Sequence, residues 1–314
     1  MIKKAIVVPI IIGGVMIVLG GTIAGISAAA AGGFAALSTA EPYVARIIEV
    51  PADLNINVEE ENNKIVINSS ETATNVSITV YENEYEAYIS TSDETNFNLN
   101  YQNNTPWVKR VFYFPTSLRT MTITVPDNYV ASLNIITSNA VIDTNNISLQ
   151  GELSLESVNG VIDIDDVNVI GSIAVRTTNS KIEINDTTSQ TNISASSING
   201  YIGLNNLEGV DIIAQTSNGK IAADNILSSH KMSLKTTNGQ ITTDDIDVAS
   251  EIRLETTNGE IRGNVKGPSS DYDVDSQTTN GSNNLLSYNS QTPTTGDKLL
   301  YVRSYNGVIN ITFK

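Results

Sequence analysis

The chain has 314 residues, of which 40% are hydrophobic, with no cysteine, one histidine and a formal net charge of −16. The lack of cysteine excludes disulfides, thiolate metal sites and a cysteine nucleophile. The strong acidity argues against nucleic acid as a partner, because its phosphates would repel such a surface.

The N-terminal segment is apolar over an unusual length. Lys3 and Lys4 precede a stretch from Ala5 to Ala40 that contains no charged residue. Such a stretch is long enough to span a bilayer. We therefore predict that residues 1–40 form one transmembrane helix that anchors the chain.

The charges on either side of this segment predict its orientation. Two lysines before it and an acidic body after it favour an N-terminus in the cytoplasm and residues 41–314 outside, in a single-pass protein of the cytoplasmic membrane. A cleaved signal peptide is the alternative, because Ala28 to Ala31 offer small residues that a signal peptidase accepts. In both cases the bulk of the chain is exported.

Residues 41–130 contain apolar residues that alternate with polar ones, but no clean period. Segments such as Val76–Val80 and Met121–Val125 favour strands. We predict that this region forms irregular coils that cap the regular part of the chain. Trp107 and the aromatic run Phe112–Phe114 are expected to cover the first regular core layer.

Residues 131–314 repeat with a period of about twenty residues, and such self-similarity is typical of stacked repeat architectures. An asparagine marks each copy, and glycine follows it in seven of nine copies. The asparagines are Asn139, Asn159, Asn179, Asn199, Asn218, Asn238, Asn258, Asn280 and Asn306.

The positions around this asparagine form columns of fixed chemistry. Apolar residues alternate with polar ones before it, which indicates a half-buried strand, and an isoleucine three positions after it indicates a second strand. The residue two positions before it is always Ser or Thr, and we interpret this hydroxyl as a structural partner for turn backbone groups. The hydroxyl column is Thr137, Ser157, Thr177, Ser197, Thr216, Thr236, Thr256, Thr278 and Ser304.

A second turn follows in each of six copies, marked by a pair of Asn or Asp residues. The pairs are Asn145-Asn146, Asp165-Asp166, Asn185-Asp186, Asn205-Asn206, Asp224-Asn225 and Asp244-Asp245. Each period therefore contains three short segments and three bends, as one coil of a triangular helix of strands requires. Asn and Gly are expected to supply left-handed backbone conformations at the corners.

These columns predict an all-β fold, a single-stranded parallel β-helix (β-solenoid) of about 20-residue coils behind the N-terminal transmembrane helix. A meander of hairpins is the rival, because Asn-Gly between strands is also a strong hairpin signal. The solenoid is favoured because stacking in register gives each column neighbours of its own kind. Val308–Phe313 is expected to close the far end, and Asn284–Lys298 to form a surface loop.

The motif Ser/Thr-x-Asn-Gly-x-Ile, the strand Thr124–Asp127 and the membrane segment resemble a bacterial family. It is the putative-adhesin family of envelope proteins with β-strand repeats, also called toastrack-type domains of unknown function. The resemblance covers roughly residues 45–314. It implies a β-helix outside the cytoplasmic membrane with a role in adhesion or envelope-stress sensing, and it brings no catalytic residues. Ala140 and Ser180 depart from the glycine of the motif, and the copy around Asn280 is weak.

Several residues raise the question of chemistry, and each has a simpler interpretation. Asp residues at turns could bind Ca²⁺, but they vary with Asn and more often cap their own backbone. His230 is interpreted as a solvated side chain between coils. A tyrosine group could stack on sugars, but tyrosines on strands are more often core residues. The residues concerned are Asp143, Asp163, Asp165, Asp166, Asp186, Asp224, Asp244, Asp245 and Asp247, the outward Arg176, Arg253, Arg262 and Arg303, and Tyr81, Tyr85, Tyr88 and Tyr101.

We therefore assign no catalytic, cofactor-binding or metal residue and predict that the chain is not an enzyme. The sequence favours a membrane-anchored extracytoplasmic β-solenoid that acts as an adhesin or an envelope interaction scaffold. Its expected partners are the membrane, through the N-terminal helix, and a cell-envelope protein or glycan. A glycan-binding or glycan-cleaving β-helix protein and the ectodomain of an envelope-stress sensor are the alternatives. The oligomeric state is left open.

Overall fold

The computed structural model describes residues 42–107, 119–289 and 297–314. The described residues form strands that join in one continuous sheet. The strands are β1 (Val44–Val50), β2 (Asn55–Glu60), β3 (Lys64–Ser70), β4 (Val76–Glu82), β5 (Glu86–Ser92), β6 (Asn96–Asn103), β7 (Thr120–Pro126), β8 (Leu133–Thr137), β9 (Ile142–Leu149), β10 (Leu153–Ser157), β11 (Ile162–Val169), β12 (Ile173–Thr177), β13 (Ile182–Ser189), β14 (Asn192–Ser196), β15 (Ile202–Gln215), β16 (Ile221–Lys235), β17 (Ile241–Val248), β18 (Glu251–Thr256), β19 (Ile261–Val265), β20 (Tyr272–Thr278), β21 (Lys298–Ser304) and β22 (Ile309–Phe313).

The regular coils stack in parallel and in register. Leu153 of β10 lies between Leu133 of β8 and Ile173 of β12, and Ile162 of β11 lies between Ile142 of β9 and Ile182 of β13. Each residue in these strands thus pairs with the residue one period away in the chain, as a solenoid requires and a meander of hairpins does not. The predicted β-solenoid is confirmed, and the hairpin meander is wrong.

Each coil has three faces, which we call A, B and C. Face A consists of β8, β10, β12, β14, the last residues of β15 and β16, and β18. Face B consists of the first residues of β9, β11, β13, β15, β16 and β17, and face C of the residues of those strands after a bend. The predicted apolar columns point inward and are buried.

The bend between faces B and C has a left-handed backbone at the second residue of each Asx pair, as the sequence predicts for Asn and Asp. These residues are Asn146, Asp166, Asp186, Asn206, Asn225 and Asp245, with φ between 45° and 55°. A short polar side chain tolerates this conformation better than other non-glycine residues do. The same expectation for the glycines of the Asn-Gly turns is wrong, because in the described residues only Gly263 and Gly267 have positive φ.

The N-terminal region forms a first coil, which pairs with the next one on faces A and B, and then a cap on it. Strand β2 lies between β6 and β8, and β3 lies between β7 and β9. The outer layers are antiparallel, with β4 between β1 and β7 and with β5 beside β6. Trp107 does not cover the core as expected, because it is 79% exposed. Residues 112–114 lie outside the described residues.

The C-terminal end is also closed by a chain segment that folds back. Strands β21 and β22 stack on β18 and β19, but β20 and Asn283 pair with their outer edges. The expectation that Val308–Phe313 closes this end is therefore wrong. The prediction that Asn284–Lys298 forms a surface loop is wrong for its first residues. Leu285 is fully buried, and the Tyr288 ring lies 5.2 Å from that of Phe313.

The predicted transmembrane helix at residues 1–40 lies outside the described residues. Within the parts of the chain that the structure covers, no helix has the length and apolar character needed to cross a bilayer.

Candidate functional site

The Ser/Thr hydroxyl of the motif holds its turn and binds the coil before it. In the second copy, Ser157 Oγ accepts the N–H of Gly160 at 2.8 Å and donates to the carbonyl of Ala140 at 3.3 Å. In the sixth, Thr236 Oγ1 accepts from Gly239 at 3.1 Å and donates to Gly219 at 3.0 Å. The structural role that the sequence predicts for this column is confirmed.

The motif asparagines form a continuous ladder along the edge between faces A and B. Each Nδ2 donates to the Oδ1 of the asparagine on the preceding layer, at 2.7 to 2.9 Å. All the carboxamides therefore point the same way along the axis. In spatial order the ladder is Asn62, Asn139, Asn159, Asn179, Asn199, Asn218, Asn238, Asn258, Asn306 and Asn280.

The motif glycine is required by the close approach of successive coils. A Cβ on Gly239 would lie 1.7 Å from the carbonyl oxygen of Gly219, and a Cβ on Gly259 would lie equally close to that of Gly239. A side chain at Gly239 or Gly259 would therefore force the backbone of the neighbouring coil to shift, whereas Ala140 and Ser180 occupy the same motif position in two other copies. Three motif positions thus have three separate tasks, namely turn capping, ladder bonding and close stacking.

The first coil contains a tenth copy of the motif that the sequence reading missed. Glu60 is in register with Thr137, and Asn62 is the first member of the ladder. Glu60 is 4% exposed, and its carboxylate accepts the N–H groups of residues 61, 62 and 63 at 3.0 to 3.1 Å. A carboxylate thus replaces the hydroxyl. The copy was hidden because the cap strands separate Asn62 from Asn139 by 77 residues.

The carboxylate of Glu60 belongs to a buried polar cluster in the N-terminal cap. Tyr88 Oη donates to Glu60, and burial, with the negative charge of Glu60 as the next cause, raises the pKa of this phenol well above its usual range. Arg119 donates to Asn63 Oδ1 at 3.1 Å and pairs with Glu86 at 3.3 Å. The cluster therefore joins β2 and β5 to Arg119, the residue before β7.

All four tyrosines noted in the sequence lie in the cap, and two of them, Tyr88 and Tyr101, lie at the buried polar cluster. Tyr88 is buried, and its ring lies 5.5 Å from that of Tyr101. Burial and the Glu86 carboxylate raise the pKa of Tyr101 as well. Tyr81 and Tyr85 are half-buried. The core role that the sequence favoured for these tyrosines fits their positions.

The nine aspartates considered as Ca²⁺ ligands are divided among two faces and the bend between them. Their positions are face B for Asp143 and Asp163, the bend between faces B and C for Asp165, Asp166, Asp186, Asp224, Asp244 and Asp245, and face C for Asp247. Asn264 and Lys314 hold the pKa of Asp244 below its usual range, and Lys266 does so for Asp245. Among the described residues, no three acidic or histidine side chains are placed to hold a metal ion.

Asp163 lies between two other carboxylates that disfavour its ionised form. It lies in register between Asp143 and Glu183, and it lines a recess of about 380 Å³ on face B. Partial burial, and then the charges of Glu183 and Asp143, raise its pKa above the ordinary 3.8. Lys64 pairs with Asp143 and Lys181 with Glu183, so the carboxylate between them is the least compensated.

The flagged basic residues mostly have acidic partners. Arg253 binds Glu251 at 2.8 Å, and Arg303 binds Asp275 at 2.7 Å. His230 Nδ1 lies 2.6 Å from Asp211 Oδ1. Arg262 has a more distant acidic partner, Glu260, at 3.7 Å. Arg176 is exposed.

A notch between faces C and A lies among residues that vary from coil to coil. Its floor is the corner of the coil that contains Asn199. At this corner a single residue, Val210, joins face C to face A, whereas two residues join these faces in the coil before it and in the coil after it. The notch has a volume of about 530 Å³. Its lining is Asn168, Thr188, Ser189, Gln190, Glu208, Gly209, Val210, Leu227 and Ser229.

The notch offers hydrogen-bonding groups beside an apolar patch. Thr188 Oγ1 bonds to Asn168 Oδ1 at 2.9 Å, which leaves the amide nitrogen of Asn168 as a donor. Leu227 is half exposed, and the carboxylate of Glu208 is exposed nearby. Sequence reasoning missed this site. The signal for it was the single step of 19 residues between Asn199 and Asn218.

The Asp211–His230 pair lies at the edge of the notch, beside Ser228 and the notch-lining Ser229. The nearby Ser228 is buried, and its Oγ lies within hydrogen-bond distance of two backbone carbonyls, those of Val210 at 2.6 Å and Lys231 at 3.0 Å. A hydroxyl held in this way cannot be activated by the imidazole. Ser228, Asp211 and His230 thus hold the backbone at this corner of the coil.

The chain was compared with curated proteins, solved structures and family models. No curated protein matches the sequence. A crystal structure of a putative adhesin from Bacteroides fragilis is 12% identical and covers 88% of this chain and 99% of its own, with a TM-score of 0.39. One of a putative cell adhesion protein from Clostridium sporogenes is also 12% identical and covers 87% and 100%, with a TM-score of 0.26. Likenesses this low carry no argument about function. The family model described as Toastrack DUF4097 matches residues 53–312.

Proposed function

The chain belongs to the Toastrack DUF4097 family, and from this premise we propose that it is a non-catalytic, adhesin-like interaction scaffold of the cell envelope. In this proposal residues 1–40 anchor it in the cytoplasmic membrane and residues 41–314 lie outside the cytoplasm. Its partner is a protein or glycan of the envelope or of an outside surface.

The observation that carries the proposal is the closure of the stack at both ends. A regular solenoid with open ends presents unpaired strand edges, which recruit further strands. Here β6 and β7 cover the first coil and pair in turn with the antiparallel strands β5 and β4, and the segment from β20 to Asn289 covers the last coil. Neither end therefore presents the edge of a regular coil, and the proposal takes the three long faces and their corners as the surface for contacts.

The separation of structural positions from variable outward positions supports the same function. The inward columns, the hydroxyl column and the asparagine ladder hold neighbouring coils at a fixed spacing. Strands stacked in this way are stiff, since every coil is bonded to two others. The outward positions of faces A and C change from coil to coil, so they are free to carry specificity. This arrangement suits a rigid support for a binding surface.

Membrane attachment rests on the sequence alone. The uncharged stretch from Ala5 to Ala40, with two lysines before it, supports a single span with the acidic body outside. The negative charge of the body also disfavours contact with anionic lipid headgroups, so the body would stand off the membrane surface.

The test compares cells with the full-length chain, cells without it, and cells with a variant that lacks residues 1–40 but keeps an export signal. We expect the full chain in the membrane fraction, digestion of its body by protease added from outside, and weaker surface attachment or cell–cell contact in the cells without it. The shortened variant is expected to leave the membrane fraction. A chain that is protected from outside protease, or attachment that is unchanged without it, would contradict the proposal.

The notch favours a second candidate function, binding of a neutral glycan. Its volume suits one or two sugar units, and amide, hydroxyl and carboxylate groups beside an apolar patch match the hydroxyl groups and C–H faces of a sugar. The test is a glycan array followed by titration calorimetry. The variant Thr188→Trp fills the notch, and Ser148→Trp is its control, since Ser148 lies two coils away in the same outward column. Binding that both variants lose equally would contradict the site.

A further inference from the structure

The sequence contains seven Asn-Gly pairs, and this dipeptide is chemically labile in flexible chains. The glycine nitrogen can attack the asparagine carboxamide, so that a bond forms between glycine N and Asn Cγ while the Cγ–Nδ2 bond breaks. Ammonia leaves and carries the proton of the attacking amide. Water then opens the cyclic imide at either carbonyl and gives aspartate or isoaspartate. The reaction needs water alone, and it makes asparagine a thermolabile residue.

In six of the seven pairs, the fold opposes this reaction at both reacting groups. The glycine is buried, and its N–H donates to the motif hydroxyl at 2.8 to 3.2 Å. The asparagine carboxamide both donates and accepts in the ladder, which fixes its orientation. The asparagines concerned are Asn159, Asn199, Asn218, Asn238, Asn258 and Asn306.

The seventh pair, Asn280-Gly281, lies at the end of the ladder, where the first restraint is missing and the second is reduced to one hydrogen bond. Gly281 is exposed. Thr278 Oγ1 donates to the carbonyl of Gly307 at 2.8 Å, and among the described contacts it does not receive the N–H of Gly281. The carboxamide of Asn280 donates to Asn306 at 2.7 Å, but no further ladder member donates to its own oxygen.

We propose that Asn280 is a site of spontaneous deamidation, where the folded protein acquires aspartate or isoaspartate while the other six pairs stay intact. The change removes the donor to Asn306 Oδ1 and puts a carboxylate against that oxygen. The outermost layer, from Thr278 to Asn289, is then bonded less tightly to the coil beneath it. The product is a chemical mark of protein age at the C-terminal cap.

The test is peptide mass spectrometry of the full-length protein after incubation in mildly alkaline buffer, with H₂¹⁸O to label the products. We expect Asn280 to convert about tenfold faster than any of the other six pairs, which corresponds to about 1.4 kcal/mol of protection at each of those sites. In denaturant the seven rates should become similar, because the dipeptide is the same. An Asn280 that is no faster than the others in the folded protein overturns the proposal, and so does a ratio that denaturant leaves unchanged.

A variant tests the protective role of the hydroxyl within the same molecule. Ser304→Ala removes the acceptor of the Gly307 N–H, which lies 2.8 Å away. We expect conversion of Asn306 to rise while that of Asn159, in a distant coil, stays constant. A rise at Asn306 alone supports protection by the hydroxyl. No rise, or an equal rise at both sites, means that burial in the folded chain protects the pairs without a specific role for the hydroxyl, and this part of the proposal fails.

Discussion

The regular coils and the N-terminal cap bond their layers together in different ways. Between β8 and β19, each coil is bonded to the next by one hydroxyl, one carboxamide and one close backbone approach, and the same set recurs in nearly every layer. Where the first coil meets the cap, one carboxylate, Glu60, takes the place of the hydroxyl and binds Tyr88 and Asn63 in contacts that occur once. The coils have redundant bonding, whereas the cap depends on single residues.

This difference predicts where the molecule tolerates change. In a repeat protein, stability is approximately a sum of the coils and of the interfaces between neighbours. The loss of one ladder bond therefore removes a small share of the total. The cap cluster is buried, so the loss of one partner leaves several polar groups without water or protein to bond.

The largest effect is expected where the coils approach most closely. Gly239→Ala puts a Cβ 1.7 Å from the carbonyl oxygen of Gly219, and we expect a loss of about 4 kcal/mol in the free energy of unfolding. The control is Gly209→Ala, whose Cβ would meet its nearest atom at 3.4 Å. Urea unfolding of both variants measures the difference. Equal midpoints would mean that close stacking is not what requires glycine.

The cap is expected to be nearly as sensitive at Glu60. Glu60→Ala leaves the N–H groups of residues 61 to 63 and the hydroxyl of Tyr88 without their acceptor, and we expect a cost of about 3 kcal/mol. Thr236→Ala, which removes one member of the repeated hydroxyl column, should cost about 1 kcal/mol. Glu61→Ala, at an exposed neighbour, is the control. A similar cost for Glu60→Ala and Thr236→Ala would remove the contrast between cap and coils.

The asparagine ladder offers a smaller, graded test. Asn238→Ala removes two bonds of 2.7 Å, to Asn218 and from Asn258, and we expect a cost of about 1 kcal/mol. Asn62→Ala, at the start of the ladder, removes one ladder bond and should cost about half as much. Thermal unfolding by circular dichroism measures both. A larger cost for Asn62→Ala would show that ladder bonds are not equivalent and that the cap dominates.

The smallest effect is a gain in stability at Asp163. Its folded pKa is raised above the unfolded value near 3.8, so its ionised form is penalised in the folded state. The penalty is fully present above the folded pKa and disappears as the pH falls below the unfolded one. Asp163→Asn should therefore gain about 0.5 kcal/mol at neutral pH and nothing in acid. Asp143→Asn, which loses the Lys64 pair, is the control, and a gain that persists in acid would contradict the electrostatic cause.

Sequence reading succeeded where a contact recurs and failed where it occurs once. The hydroxyl column and the bend pairs were readable because each position has the same neighbours in every coil. Glu60 was not readable, because a carboxylate stands where a hydroxyl is expected and its partner Tyr88 comes from a strand outside the repeat. The notch was missed for a related reason, since a single deletion at Val210 has meaning only against the two adjacent coils.

The sequence alone determined that the chain is a stack of about 20-residue coils with inward apolar columns and polar turns, because a period in the chain becomes a spacing in the stack. Tertiary structure alone decided the order of the layers at the two ends. The chain places β4 to β7 outside its first coil and β20 outside its last, so that Asn280 comes after Asn306 in space. No local pattern encodes such crossings, which follow from the need to cover both ends of an otherwise open stack.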